Sequence, residues 1–302
     1  MNPPVPTISM PAKKRGRGKS ARSVALIDWA VHWFAHNHPA SVRACCYQLF
    51  VAGLIPSMEK NCTNEVSRHL RDAREAGVLP WHHVVDETRE AETAGTWANP
   101  DQIIDAAVRG YRRDYWQDQP ERVEVWSEKG TVRGTILPVL KSYGVTFQVA
   151  HGYNSATRMY DAAQDSIASD KTLTILYIGD FDPSGLHMSE VDIPRRLQRY
   201  GGIAEIKRIA LRRDDLAGLP SFPLESKRKD PRYQWFASRH GRECWELDAM
   251  PPNDLRARVE NEIFALLDVD LWNHAIQIET AETASMRDFL RTWNRATSGG
   301  RA

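Results

Sequence analysis

A chain of 302 residues, 42% hydrophobic and 26% charged, has the size and make-up of a water-soluble globular protein of roughly two domains. It contains no run of 18 apolar residues, and the stretch from Val24 to Phe34 is broken by Asp28 and His32, so a membrane partner and a secretory signal are excluded and a cytoplasmic, nucleoid-associated location is expected. The net charge of +1 hides an asymmetry: residues 1–22 hold six basic groups and no acid, which leaves 34 basic against 39 acidic residues in the rest.

That first segment, 1–22, sets Lys13, Lys14, Arg15, Arg17, Lys19 and Arg22 among Pro, Gly and Ser and is expected to be a disordered basic tail. It reads as a phosphate-seeking arm for DNA, with a merely solubilising tail as the alternative. Residues 23–90 then turn helical. Ser23 is placed to cap a helix carrying Val24, Ile27, Val31 and Phe34. Ser41 caps a second, with Val42, Cys45, Cys46 and Leu49 as its apolar stripe and Gly53 as its stop. Thr63 caps a third, which buries Val66, Leu70 and Ala73, presents Arg68, Arg71 and Arg74 on the other side, and stops at Gly77. Val78–Trp81 and the polar residues to Arg89 suggest a strand and a wing. Three helices and a strand pair are the parts of a winged-helix DNA-binding domain, with the third helix entering the major groove; a small helical bundle with a solvated arginine face is the alternative. The four cysteines, Cys45, Cys46, Cys62 and Cys244, have no zinc or disulfide spacing and read as reduced thiols, and His82-His83 lacks further ligands at metal spacing.

A linker at 91–99 ends in Asn99-Pro100, a strong helix start. From there to residue 290 strands alternate with helices: strands at 123–126, 145–149, 173–178 and 203–209, helices at 131–141, 155–168 and 185–200. This is the pattern of an α/β domain with a mostly parallel, Rossmann-like sheet, and residues 291–302 read as a flexible tail. Such sheets carry their chemistry at the carboxyl ends of strands. One end here is Ser127-Glu128-Lys129-Gly130. Another is Gly179-Asp180-Phe181-Asp182-Pro183-Ser184-Gly185. In an extended chain Asp180 and Asp182 point to the same side, where two like charges call for a proton or a cation, and hard oxygen ligands suit Mg²⁺, with Mn²⁺ able to replace it. A solvated turn is the plainer reading of an isolated Asp-x-Asp pair.

These two segments together resemble the Toprim signature of topoisomerases, primases and certain nucleases, a Glu on an early strand and Asp-x-Asp on a later one. The resemblance is closest to the topoisomerase VI A subunit and the meiotic double-strand-break proteins. These place a winged-helix domain before the Toprim domain and carry an Arg four residues before a catalytic Tyr, a spacing matched by Arg43-Ala44-Cys45-Cys46-Tyr47. Trp245-Glu246-Leu247-Asp248-Ala249-Met250-Pro251, with a helix from about residue 254 to 267, resembles the segment that closes their Toprim domain. The resemblance implies Mg²⁺ held by Asp180 and Asp182, Glu128 sharing the metal or acting as general acid to the leaving 3′ oxygen, and Tyr47, assisted by Arg43, as a nucleophile forming a 5′ phosphotyrosyl bond; Lys129 belongs to the same motif. DNA is the expected partner, with a second copy of the chain and a GHKL-type ATPase subunit as further candidates.

Departures from the family pattern keep different chemistry open. Position 46 is Cys where many relatives have a second Tyr, and the chain is shorter than a typical A subunit, so a metal-only hydrolytic nuclease stands beside the tyrosyl mechanism. The same residues also admit a DNA-binding regulator of plasmid or phage type without catalysis, and a haloacid-dehalogenase-like phosphatase built on Asp180-Phe181-Asp182-Pro183-Ser184. Residues 221–242 interleave Phe222, Tyr233, Trp235 and Phe236 with Lys227, Arg228, Lys229, Arg232, Arg239 and Arg242, a composition suited to following a nucleic-acid strand. Glu246 and Asp248 repeat the i, i+2 carboxylate spacing and are candidates for a second metal position.

Overall fold

The computed structural model describes residues 20–85, 96–150 and 156–299. The arm carrying Lys13, Lys14, Arg15, Arg17 and Lys19 lies outside them, as does the stretch 86–95. Helix α1 (Ala21–Asn37) begins earlier than the sequence suggests, because Ser20 rather than Ser23 is its cap: the Ser23 backbone N–H donates to Ser20 Oγ at 3.2 Å. It buries Leu26, Ile27, Ala30, Trp33 and Phe34, one apolar face at helical spacing. Strand β1 (Ala40–Ser41) leads into α2 (Val42–Val51), capped by Ser41 as expected, with Oγ accepting from Ala44 N at 3.0 Å. Helix α3 (Lys60–Glu75) starts at Glu59 and not at Thr63, whose hydroxyl instead bonds back to the Glu59 carbonyl at 3.2 Å. Its buried side is Val66, His69, Leu70 and Ala73.

The strand expected at Val78–Trp81 is absent. Gly77, at φ 73°, turns the chain out of α3, Leu79 plugs the core, and Val78 and Trp81 stay exposed. The strand lies later, at β2 (Val84–Val85), and pairs parallel with β1, Ala40 opposite Val84. Among the described residues these three helices share one apolar core with a two-residue parallel pair, and no wing hairpin is formed.

Asn99 caps α4 (Pro100–Gly110), accepting from Gln102 N at 3.0 Å. The chain then runs through β3 (Glu121–Ser127), α5 (Val132–Tyr143), β4 (Thr146–Val149), α6 (Ala156–Ala168), β5 (Thr172–Ile178), α7 (Pro183–His187), α8 (Ile193–Arg199) and β6 (Ala204–Ala210). The single helix expected over 185–200 is interrupted by a π-helical turn at Met188–Asp192, next to Pro194, which has no N–H to close the usual bond to residue 190. Beyond β6 come β7 (Phe222–Pro223), α9 (Tyr233–His240), β8 (Glu243–Cys244), α10 (Pro252–Phe264) and α11 (Val269–Gly299). Helix α11 passes residue 290 without a break, so the tail expected to be flexible is helical as far as Gly299. It lies along α4, with Tyr111 Oη donating to Glu282 Oε2 at 2.6 Å and Trp293 Nε1 to Asp101 Oδ1 at 2.7 Å.

Strands β4-β3-β5-β6 form one wholly parallel sheet in that order. Both faces are covered, which is why β5 reads as a nearly unbroken apolar run. Val123, Val125, Leu176 and Ile178 pack with Ile136, Leu140, Val259 and Ile263 on one side. Trp126, Leu173, Ile175 and Tyr177 pack with Met159, Ala163, Ile193 and Leu197 on the other. No helix among the described residues is long and apolar enough to cross a membrane.

Arg256 of α10 joins the helical unit to the sheet unit. Its guanidinium donates to the carbonyls of Pro39 at 2.9 Å, Thr135 at 3.1 Å and Asn37 at 3.2 Å. Arg256→Ala removes all three bonds and is expected to lower stability by about 2–3 kcal/mol. Chemical denaturation of the full chain checks this, and an unchanged midpoint would show that the two units are held by different contacts.

Candidate active site

The chain reverses its direction of sheet-building between β3 and β5. After β3 it moves outward to β4 and then returns to lay β5 on the other side of β3. At such a switch point the loops leaving two adjacent strands part and open a crevice at their carboxyl ends. Ser127 lies opposite Ile178 in register, so Glu128 follows β3 beside the turn in which Asp180 and Asp182 follow β5.

Asp182 is buried at 2% exposure and Asp180 at 6%, so their charges must be met within the protein. Asp182 caps α7, accepting from Gly185 N at 2.7 Å through Oδ1, and its Oδ2 lies 3.0 Å from Lys227 Nζ. Asp180 Oδ1 accepts from Leu247 N at 2.8 Å and meets Lys129 Nζ at 2.8 Å. Burial raises the Asp180 pKa above the ordinary carboxylate value, opposed by Lys129. Glu128 makes no ion pair among the described residues and accepts only from Ser184 Oγ, at 3.3 Å. Burial, with the neighbouring Asp180 and Asp182, pushes its pKa up to about 7.

The turn carrying these acids is fixed from beneath by Arg208 of β6. Its guanidinium donates to the carbonyls of Gly179 at 2.8 Å, Gly185 at 2.9 Å and Leu211 at 2.8 Å, and to Ser189 Oγ at 3.0 Å. Gly185 is required by this packing, since a Cβ there would stand 2.3 Å from the Asp180 carbonyl oxygen. Neither Arg208 nor the pairing of Lys227 with Asp182 is signalled in the sequence. Arg208 sits in a strand of alternating character, and Lys227 reads there as one of many basic residues in a nucleic-acid-binding stretch.

The segment after β8 brings in two more acids. Trp245 pairs with Phe181 across an isolated antiparallel bridge, which carries Glu246 and Asp248 to the crevice. Lys129 Nζ lies 3.1 Å from Asp248 Oδ2 and 3.7 Å from Glu246 Oε2. On the far side stands α2. Arg43 Nε donates to Glu246 Oε2 at 2.9 Å and lies 3.5 Å from Asp248 Oδ2, while its Nη2 also contacts the Glu246 carboxylate. The Tyr47 hydroxyl lies in the field of Glu246, and Arg43 sits 5.7 Å from the Tyr47 ring centre. Burial and Glu246 raise the phenol pKa, and Arg43 and Lys129 only partly oppose them. Residues 43, 47, 128, 129, 180 and 182, picked out by motif alone, therefore share one cluster, joined by Glu246 and Asp248.

The remaining basic candidates are dispersed. Arg68 and Arg71 are exposed on α3, Arg74 is half-buried with its guanidinium 4.8 Å from the Trp81 ring centre, and Arg228 and Lys229 are exposed beside Lys227. His83 stacks on His38 at 3.9 Å. All four cysteines are free thiols, three of them buried.

No family model and no curated protein matches this chain. The case for a metal rests on the donors themselves. Five carboxylates (Glu128, Asp180, Asp182, Glu246 and Asp248) are clustered with three cations that pair with them (Arg43, Lys129 and Lys227) and with Arg208 beneath the turn, which leaves one negative charge in excess when all are ionised. The Glu128 pKa is raised first by burial, and the neighbouring Asp180 and Asp182 add to that. The donor set is hard oxygen, as Mg²⁺ and Mn²⁺ select. As placed, no three carboxylate, histidine or cysteine side chains among the described residues converge on one ion, because Lys129 and Lys227 hold the aspartates.

A carboxyl with a raised folded pKa binds its proton more tightly in the folded state, so its contribution to stability is present at acid pH and is lost as pH rises from about 4.5 through 7. The melting temperature of the metal-free protein should therefore fall more steeply between about pH 5 and 7.5 in the wild type than in Glu128→Gln. Parallel pH profiles would mean that folding does not raise the Glu128 pKa.

Proposed function

We propose that this protein cleaves DNA strands in a reaction dependent on Mg²⁺ or Mn²⁺, at the crevice where β3 and β5 diverge. The observation that carries the reading is the meeting of Glu128, Asp180 and Asp182 at one switch point with more carboxylate than cation around them. Asp180 and Asp182 would hold the ion, with Glu128 either sharing it as a carboxylate or standing beside it as a proton donor. When bound, the ion would neutralise charge on the scissile phosphate and on the leaving oxygen. In the second role Glu128, its pKa raised to about 7 by burial and by the two aspartates, would donate to the departing 3′ oxygen. Lys129 and Lys227 keep Asp180 and Asp182 in position.

A tyrosyl intermediate is favoured over simple hydrolysis by the placement of Tyr47 against the same cluster. In that step the Tyr47 oxygen bonds to phosphorus, the bond from phosphorus to the 3′ oxygen breaks, the phenolic proton passes to the neighbouring Glu246 carboxylate, and Glu128 protonates the leaving oxygen. The exposed Arg68 and Arg71 of α3, acting as the recognition helix of a winged-helix-like unit, together with Arg228, Lys229 and the basic arm at Lys13, Lys14, Arg15 and Arg17, supply phosphate contacts.

Incubated with supercoiled plasmid, the full chain should nick or cut it with Mg²⁺ or Mn²⁺ and not in EDTA, and Asp182→Asn or Glu128→Gln should lower the rate by roughly 100-fold or more. Cleavage that persists in EDTA or in both variants removes the metal reading. Tyr47→Phe keeps the ring and its packing, so loss of cleavage together with loss of a denaturant-stable adduct on a 5′ end assigns the nucleophile. Wild-type cleavage by Tyr47→Phe with free ends assigns attack to water.

A further inference from the structure

We propose that Trp81 is a stacking platform for an unpaired base, so that the DNA this protein takes contains a single-stranded segment. This rests on the reading of DNA as substrate above and adds which form of it the helical unit holds. Trp81 is 60% exposed, the most exposed tryptophan among the described residues. It does not sit on a loose tip. Leu79 before it and Val84 after it are buried in the helical core, Pro80 restricts the backbone just ahead of it, and the tight turn over Trp81–His83 closes with His83 N donating to the Pro80 carbonyl at 3.2 Å. The ring is therefore in place before any ligand arrives, and stacking on it costs little ordering entropy.

One face of the ring already carries a cation. The Arg74 guanidinium lies 4.8 Å from the ring centre, its Nε is buried without a hydrogen-bond partner, and it forms no ion pair among the described residues. Attraction to the indole face is what holds a guanidinium there, and its charge is left unmatched. Arg71 and Arg68 precede it on α3 at three-residue spacing, about 4.5 Å apart along the axis, so a row of guanidinia leads up to the ring. A flat apolar face beside a row of cations suits a base with its phosphates, the combination by which single strands are held without sequence readout. A paired base cannot use it, because its faces are covered by its neighbours in the duplex stack. An apolar protein surface would cover the ring but leave the arginines unmatched. The platform also lies near the crevice: Trp81 stands three residues before Val84, which pairs with Ala40, and the next residue, Ser41, donates to Asp248 Oδ1 at 3.5 Å.

Fluorescence anisotropy of the full chain with a labelled oligothymidylate and with a duplex of the same length, both in EDTA so that no strand is cut, tests this. Wild type should bind the single strand, Trp81→Ala should weaken that binding by about 5-fold or more while changing duplex binding by less than about 2-fold, and Trp81→Phe, which keeps a ring, should restore most of the loss. A 2-aminopurine base placed in the oligothymidylate should be quenched by wild type and by Trp81→Phe, and not by Trp81→Ala. Wild type that binds no oligothymidylate, or Trp81→Ala that loses single strand and duplex alike, overturns the inference. Trp81→Ala with wild-type affinity for both also overturns it and leaves the indole to a protein partner. Plasmid cleavage is scored separately: cutting by a protein that fails these tests leaves the proposed function standing, whereas stacking on Trp81 by a protein that cuts no plasmid supports the inference and defeats the proposed cleavage.

Discussion

Mutual repulsion among carboxylates at the end of one parallel sheet is the constraint on which the rest of this structure depends. Two aspartates almost wholly out of solvent, with a glutamate beside them, cannot stay ionised on their own. Each relief comes from a different part of the chain: an ammonium from the loop after β3, another from the segment before α9, backbone N–H groups from Gly185 and Leu247, and a proton retained on Glu128. The loop from Trp245 to Ala249 is folded into the crevice by the Phe181 bridge and the Asp180 bond, and it carries acids of its own. They are matched in turn by Arg43. The position of the helical unit is thus coupled to the charge state of the sheet end, with Gln48 donating to the Ala249 carbonyl at 3.1 Å as a neutral supplement.

Much of the sheet was legible because burial on both faces leaves a strong mark on composition. Residues 173–178 can hardly be read as anything but an interior strand, and the loops following Trp126 and Ile178 hold acids where a parallel sheet exposes its chemistry. Ser41 and Asn99 were readable as caps because their side chains are short acceptors just ahead of an apolar periodicity. Thr63 looked the same and is not a cap, since Glu59 and Lys60 continue the helix backward and its hydroxyl finds a carbonyl one turn earlier. Val78 to Trp81 has the composition of a strand, but Gly77 and Pro80, one before it and one within it, impose a turn that local propensity does not outweigh.

What the sequence could not show is the pairing of charges across long separations. Arg208 in a partly exposed strand has no local feature that marks it as the clamp of the Asp180 turn. Lys227 sits in a run of Lys and Arg whose members are equivalent on paper, yet it alone of Lys227, Arg228 and Lys229 forms an ion pair with a buried aspartate. Helix α11 hides its continuation for a related reason: past residue 290 it is tied to α4 by a partner distant in sequence, Trp293 Nε1 donating to Asp101 Oδ1.

This division among the cations bears on how a polyanion could enter. A phosphodiester approaching the crevice meets a surplus of carboxylate, so the cations that receive it cannot be those already holding the acids without exposing them again. Arg43, Lys129 and Lys227 are committed in this way. Arg68, Arg228 and Lys229 are exposed and form no ion pair among the described residues, and Arg71 is paired only with the surface acids Asp72 and Glu75, a contact that solvent and salt weaken. Two sets of basic side chains follow from this: an outer set not engaged with buried acids, and an inner set whose loss unbalances the crevice. With DNA as the proposed substrate, substitution in the outer set should act on affinity and its salt dependence, whereas substitution in the inner set should act on the geometry of the carboxylates themselves. A strand drawn to the outer set still faces the inner acids, whose charge opposes that last approach for as long as it is not neutralised by a proton or a cation.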